Sequence, residues 1–289
     1  MVDHSHQDID AATGTSTTGH EWDGIKELNT PLPKWWLYIL YATMVWAVGY
    51  WVVYPAIPLP GGFTPGISGF TNRGAVPVDL AALHAQRAAL TDALSKASLT
   101  DIEKDQQLLG FARSLGKAAF GDNCAPCHGS GAQGAKGYPN LNDDDWIWGG
   151  KLDQISATIT HGAHNEDADS HQGGMPAFGR DGILKADEIE AVVSYVRSLS
   201  GLEKGDFSKG QKIFADNCAA CHGDNAKGNQ DVGALNLTDQ IWLYGGDRPT
   251  VIETVTNGRS GVMPSWTKRL DPTTIKALTV YVHTLGGGQ

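Results

Sequence analysis

The sequence predicts an all-α chain: a single transmembrane helix near the N-terminus, then two tandem copies of one small helical domain. Three observations carry this expectation. A run of 20 residues, Trp35–Tyr54, holds no charge. The stretch Asn123–Gly129, NCAPCHG, returns as NCAACHG at Asn217–Gly223, and the two copies hold all four cysteines. Around each copy, glycines, aromatics and a Met-Pro pair recur at matching places.

Residues 1–34 are polar and net negative, and their composition predicts a flexible cytoplasmic tail at least as far as Gly19. The charge-free run at 35–54 follows. At 1.5 Å rise per residue it spans a hydrocarbon core of roughly 30 Å. Trp35, Trp36 and Tyr38 lie at one end and Tyr50, Trp51 and Tyr54 at the other, where amphipathic rings favour the interface. A cleaved signal peptide would have a shorter apolar stretch and a small-residue site, whereas this run ends in Tyr54-Pro-Ala-Ile-Pro58. Lys26 and Lys34 before the helix lean toward an N-terminus inside.

Residues 55–78 are rich in proline and glycine and read as an extended, structureless connector. From 79 to 114 leucines recur at helical spacing, and Thr100-Asp-Ile-Glu103 reads as a capping box opening a second short helix. The repeat then occupies 115–200 and 201–289. Gly116-x-x-x-Phe120 before the first Cys-x-x-Cys-His aligns with Gly210-x-x-x-Phe214 before the second. Trp146-Ile-Trp-Gly-Gly150 aligns with Trp242-Leu-Tyr-Gly-Gly246, and Met175-Pro176 with Met263-Pro264. Each unit closes on a periodic helix carrying Tyr195 or Tyr281. The first unit differs by a longer loop, His161–Gly174.

In Cys-x-x-Cys-His the reactive side chains sit at i, i+3 and i+4, on one face of a helical turn. Cys124 with Cys127, and Cys218 with Cys221, can therefore form thioethers to the vinyl groups of a haem, and His128 and His222 are delivered to its iron. The chain thus calls for two covalently bound c-type haems. A zinc site would need the thiol pairs to converge on one ion, and a thioredoxin-like pair would need a βαβ context that is absent. Of the four methionines, Met1 is the initiator and Met44 lies in the membrane run. Met175 and Met263 remain, at matching places in loops, and are read as the sixth ligands. A thioether raises the reduction potential and suits electron transfer. His161, His164 and His171 are rival ligands in the long loop, but Asn257 stands where His161 would recur. Each methionine is assigned to the haem of its own unit, and the sequence leaves a crossed arrangement open.

Each repeat resembles a class I cytochrome c. That fold crosses its first and last helices, which implies Gly116 and Phe120 near Tyr195, and Gly210 and Phe214 near Tyr281. Pro139-Asn-Leu141 is similar to the proline-containing loop that holds the ligating histidine there, while the second unit reads Leu235-Asn-Leu237. The whole chain resembles the dihaem subunit of cbb3-type cytochrome c oxidases, on the strength of His20–Trp36, the membrane helix, the connector and the two motifs. The resemblance implies a bacterial inner-membrane subunit with periplasmic haem domains. It would take electrons from a soluble cytochrome c or a cytochrome bc complex and pass them through a monohaem subunit to a haem–copper catalytic subunit, where oxygen is reduced and protons are pumped. No residue is assigned a catalytic role: both irons are read as six-coordinate. A free-standing membrane-tethered dihaem shuttle is the alternative; a dihaem peroxidase or a gas sensor would need an open iron.

Charge adds two expectations. A net charge of −10 argues against nucleic-acid binding. Residues 115–200 carry 12 acidic against 6 basic side chains, while 201–289 carry 9 of each, an imbalance suited to steering a basic donor to the first unit.

Overall fold

The structure, a computed structural model, describes residues 8–288. Two units are compact in themselves, Met1–Ala85 and Gln86–Gln289.

In the first unit, β1 (Thr17–Trp22) and β2 (Ile25–Leu28) pair antiparallel across Asp23-Gly24. Both turn residues have positive φ, the conformation a tight hairpin of right-handed twist requires. The flexible-tail expectation is corrected for this segment; residues 1–7 lie outside the described residues. Helix α1 (Lys34–Val53) follows, with no buried residue, as befits a helix whose whole circumference is apolar. The connector is not structureless. β3 (Pro58–Leu59) and β4 (Gly62–Phe63) form a small hairpin, and the chain then turns back so that the amides of Ile67 and Ser68 cap the carbonyls of Val52 and Val53. Helix α2 (Asn72–Lys96) begins inside the segment read as connector.

Helix α3 (Leu99–Lys104) is capped by Ser98, whose Oγ accepts from the Asp101 amide, so the cap lies two residues before the Thr100 expected from sequence. Asp105 then caps α4 (Gln106–Asn123) by accepting from the Gln107 and Leu108 amides. One helix therefore runs through position 115. After it come α5 (Ala125–His128), α6 (Leu152–His161) and α7 (Ala186–Leu199), and in the second repeat α8 (Ser208–Asn217), α9 (Ala219–His222), α10 (Arg248–Asn257) and α11 (Pro272–His283). Helix is the main regular structure, at about half of the chain. Two short hairpins and long loops supply the rest, so the all-α expectation holds only coarsely.

The closing helices are exchanged between the repeats. Helix α11 packs on α4 and α6 of the first repeat, and α7 packs on α8 and α10 of the second. Phe120 meets Tyr281, and Phe214 meets Tyr195, each pair with ring centroids 5.5 Å apart. A Cβ at Gly116 would run into the backbone of Ala277, and one at Gly210 into that of Ala191, so these glycines permit the close helix crossings. The expected pairings of Gly116 and Phe120 with Tyr195, and of Gly210 and Phe214 with Tyr281, are thus corrected. The physical reason is the short link at Ser200–Phe207, which lays α7 beside the helix that follows it.

Three apolar clusters result. One joins Ile189, Val192, Val193 and Val196 of α7 to Phe214, Val251 and Val255. Another joins Ile275, Leu278 and Val282 of α11 to Phe120, Ile155 and Ile159. The third places Ala277 and Val280, on another face of α11, against Leu94, Ile102 and Ala112. The stretch 94–112 therefore packs on α11, whose other face lies against the first Cys-x-x-Cys-His cluster. Lys276 fastens the same junction by donating from Nζ to the carbonyls of Ser95 and Ala97, at 2.8 and 2.7 Å.

Candidate functional site

Each Cys-x-x-Cys-His motif forms the short helix that follows a long one. Cys124 ends α4 with its amide on the Phe120 carbonyl, and the amides of Cys127 and His128 turn back onto the Cys124 carbonyl. Cys218, Cys221 and His222 repeat this pattern bond for bond. Cys124 and Cys218 are half-buried, while Cys127 and Cys221 are exposed. Burial pushes the Cys124 and Cys218 thiols up to about 11. A redox-active pair needs the opposite shift. Among the described residues, the His, Cys, Asp and Glu groups close enough to share an ion are His161, Asp167 and Asp169, so the four cysteines do not converge as zinc would require.

The histidines are held alike. His128 Nδ1 donates to the Pro139 carbonyl at 2.9 Å, and His222 Nδ1 to the Leu235 carbonyl at 2.9 Å. A carbonyl only accepts, so each Nδ1 carries the proton and each Nε2 keeps its lone pair for a metal. Burial lowers both pKa values, outweighing the carbonyls that raise them. Both rings are therefore neutral at pH 7, as ligation requires. The absence of proline at Leu235 leaves the geometry of the second site unchanged.

The methionine loops follow the exchanged helices. Met263 packs into the cluster that includes Phe120, Cys124 and Ala125. Its amide and carbonyl both bond to Ala163, just past the end of α6. Met175 packs into the cluster that includes Phe214, Cys218 and Ala219, and its amide and carbonyl both bond to Arg259, just past α10. Each methionine is thus brought to the cysteine motif of the other repeat.

The rival histidines are engaged elsewhere. His161 Nδ1 faces Asp167 at 3.3 Å. His164 has Nδ1 2.7 Å from the Gly261 carbonyl and Nε2 2.5 Å from the Gly173 carbonyl. His171 has Nε2 2.9 Å from Thr158 Oγ1 and stacks on Trp148 at 4.4 Å.

Two tryptophans missed in the sequence reading as site residues line these clusters. Trp146 belongs to the Cys124 cluster and Trp242 to the Cys218 cluster. Trp146 Nε1 donates to the Gly287 carbonyl near the C-terminus. The equivalent Trp242 Nε1 is buried without an acceptor among the protein atoms. A buried indole N–H needs a partner, and a haem carboxylate would supply one. With the cysteine pairs, the neutral histidines and the thioethers, this donor set fits a c-type haem. The WxxGG repeat was the sequence signal that could have found both tryptophans.

A chain with c-type haem motifs in helical domains of this kind is a c-type cytochrome. Family models match it in three places: the N-terminal domain of cytochrome oxidase-cbb3, FixP, at 14–60; cytochrome c at 114–200; and cytochrome c oxidase, cbb3-type, subunit III, at 205–282. The chain is 61% identical over its whole length to the full Cbb3-type cytochrome c oxidase subunit FixP of Bradyrhizobium diazoefficiens. It is 60% identical to that of Azorhizobium caulinodans, covering 98% of this chain and 97% of the relative. It is 51% identical to the CcoP subunit of Cereibacter sphaeroides, covering 94% and 95%. The chain belongs to the FixP/CcoP family of cbb3-type cytochrome c oxidase subunits. It is an electron-transfer subunit that works in complex with other oxidase subunits and carries covalently bound haem c. Among the described residues one helix is long and apolar enough to cross a membrane, α1, and it fits an inner-membrane anchor.

Proposed function

We propose that the chain holds two haems c with crossed axial ligands: Cys124, Cys127 and His128 with Met263, and Cys218, Cys221 and His222 with Met175. The observation that carries this is the seating of each methionine in the apolar cluster of the other repeat's cysteine motif. Once bound, the haems supply one-electron exchange between ferrous and ferric iron. The chain's part is to hold that exchange closed. The histidine Nδ1 protons are fixed on carbonyls, the methionine loops are hydrogen-bonded at both amide and carbonyl, and apolar side chains exclude water. Held closed in this way, the site would serve as a relay and would leave oxygen chemistry to a partner.

In this reading the N-terminus is cytoplasmic and the haem domains are periplasmic, where c-type haem is attached. Electrons arrive from a soluble cytochrome c or a cytochrome bc complex and leave through a monohaem subunit toward the haem–copper catalytic subunit. Purification through a tag on this chain should bring haem b, copper and cytochrome-driven oxygen uptake with it; a chain emerging alone would favour the free-standing shuttle.

The ligand assignment has its own test. In a chain with Cys218 and Cys221 changed to Ser, the remaining haem should lose its ferric thioether absorption on Met263→Leu and keep it on Met175→Leu. The opposite result would establish ligation within each repeat.

A further inference from the structure

Because each haem motif is closed by the other repeat, the segments between them carry side chains bonded to one site and touching the other. Trp148 is two residues from Trp146, which lines the Cys124 cluster. Its ring lies against Gly233 so closely that a Cβ there would overlap it, and also reaches Gly173, where a Cβ would lie 3.7 Å from the ring. Gly233 is two residues before Leu235, whose carbonyl holds His222, and Gly173 is two before Met175. Trp148 therefore touches the histidine loop and the methionine loop of the second site.

Tyr244 does the reverse. It is two residues from Trp242, which lines the Cys218 cluster. A Cβ at Gly137 would meet its ring at 3.3 Å, and one at Gly261 would meet its hydroxyl at 3.2 Å. Gly137 is two residues before Pro139, which holds His128, and Gly261 is two before Met263. Two hydrogen bonds fix this register: the Gly137 amide donates to the Leu243 carbonyl at 2.7 Å, and the Gln230 side chain donates from Nε2 to the Trp146 carbonyl at 3.2 Å. His164 bridges the Gly173 and Gly261 carbonyls with its edge toward Trp148. The Arg259 guanidinium covers the Tyr244 ring at 4.6 Å.

We propose that Trp148 and Tyr244 are the bridging pair that couples the two haems for electron transfer, with Trp148 the stronger link. This rests on the two-haem reading above and adds the residues that set the rate between the sites. The step is the passage of one electron from a ferrous to a ferric haem; no bond forms or breaks and no proton moves. Such a passage is faster through packed atoms than across a gap, and an aromatic ring seated on a bare glycine backbone leaves no gap. Trp148 is the larger ring and the more closely seated, stacked from behind by His171.

The test uses the full-length, haem-loaded chain in detergent. A ruthenium photoreductant delivers one electron, and its redistribution is followed by the difference between the α-band spectra of the two haems. Each reference spectrum comes from a chain whose other motif carries the Cys→Ser pair. Trp148→Leu should slow redistribution by about tenfold or more, the scale on which small losses of positioning act on rates. Tyr244→Leu should slow it less, and Trp148→Phe should stay near the parent rate. Both reduction potentials and the ferric thioether absorption should be unchanged, which a merely structural defect would not leave intact. Should Trp148→Leu fail to retain both haems, Trp148→Met, which keeps bulk without a ring, takes its place with the same expectation. Parent rates in both ring-less variants, with two haems present, would overturn the proposal. A failure of the crossed-ligand reading would show in the methionine variants and leave these rates free to judge the aromatic pair.

Discussion

The two halves that carry the Cys-x-x-Cys-His motifs are alike in sequence and unlike in support. The second is closed by α7, whose buried residues all belong to one cluster. The first is closed by α11, which is buried on two faces, with Ile275, Leu278 and Val282 toward the haem motif and Ala277 and Val280 toward α2, α3 and α4. The C-terminal residues also reach back to the first half, through the Gly287 carbonyl on Trp146. Repetition thus provides two equivalent sockets, and the segment preceding the repeat makes one of them the anchored member.

The exchange can be broken most directly by removing the second repeat. A chain ending at residue 200 keeps the first Cys-x-x-Cys-His but loses Met263 and α11. We expect no stable haem site with methionine ligation, read from the absence of ferric thioether absorption and of cooperative thermal unfolding. A self-sufficient first repeat would contradict the exchange.

Core truncation comes next. Phe120→Ala and Phe214→Ala should each cost about 3–5 kcal/mol. Tyr281→Ala should weaken the half carrying Cys124, and Tyr195→Ala the half carrying Cys218, as followed by haem-specific Soret changes on heating. A double-mutant cycle sharpens the pairing. Phe120 and Tyr281 should couple by about 0.5–1.5 kcal/mol, and Phe120 with Tyr195 by nothing measurable.

The smallest effect concerns pH. Burial, with Asp239 and the adjoining aspartates, raises the Asp145 carboxyl to about 6, against an ordinary value of about 3.9 in the unfolded chain. Between those values the folded form binds a proton that the unfolded chain has released. Stability therefore falls as pH rises through this window and stays lower above it. Asp145→Asn should raise Tm at pH 8 and flatten the dependence between pH 4 and 6. An unchanged profile would mean that Asp145 is solvated in the assembled protein.

The haem attachment motif was legible because attachment needs fixed spacing: Cys-x-x-Cys-His could be read residue by residue. The fold of each repeat was legible for the same reason, from Gly116 and Phe120, Gly210 and Phe214, and the two tyrosines. What the sequence did not disclose was which copy faces which. Gly116 accepts Tyr281 or Tyr195 equally well as a matter of residue type, and only the short link after Leu199 chooses between them. Local chemistry misled in smaller ways. Proline and glycine at 55–78 suggested an open chain, but part of that segment forms a hairpin and part begins α2, and the cap of α3 is Ser98 rather than Thr100.

The exchanged helices also set an order in time. With the haem domains periplasmic and the ligands crossed, as proposed, Cys124 would emerge long before Met263, so the first site would stay unfinished until α11 is through. The second site is the reverse: α7 is already waiting when Cys218 appears. In that order, completion of the earlier motif waits on α11, and a subunit cut short before Pro272 would expose the defect in the part made first.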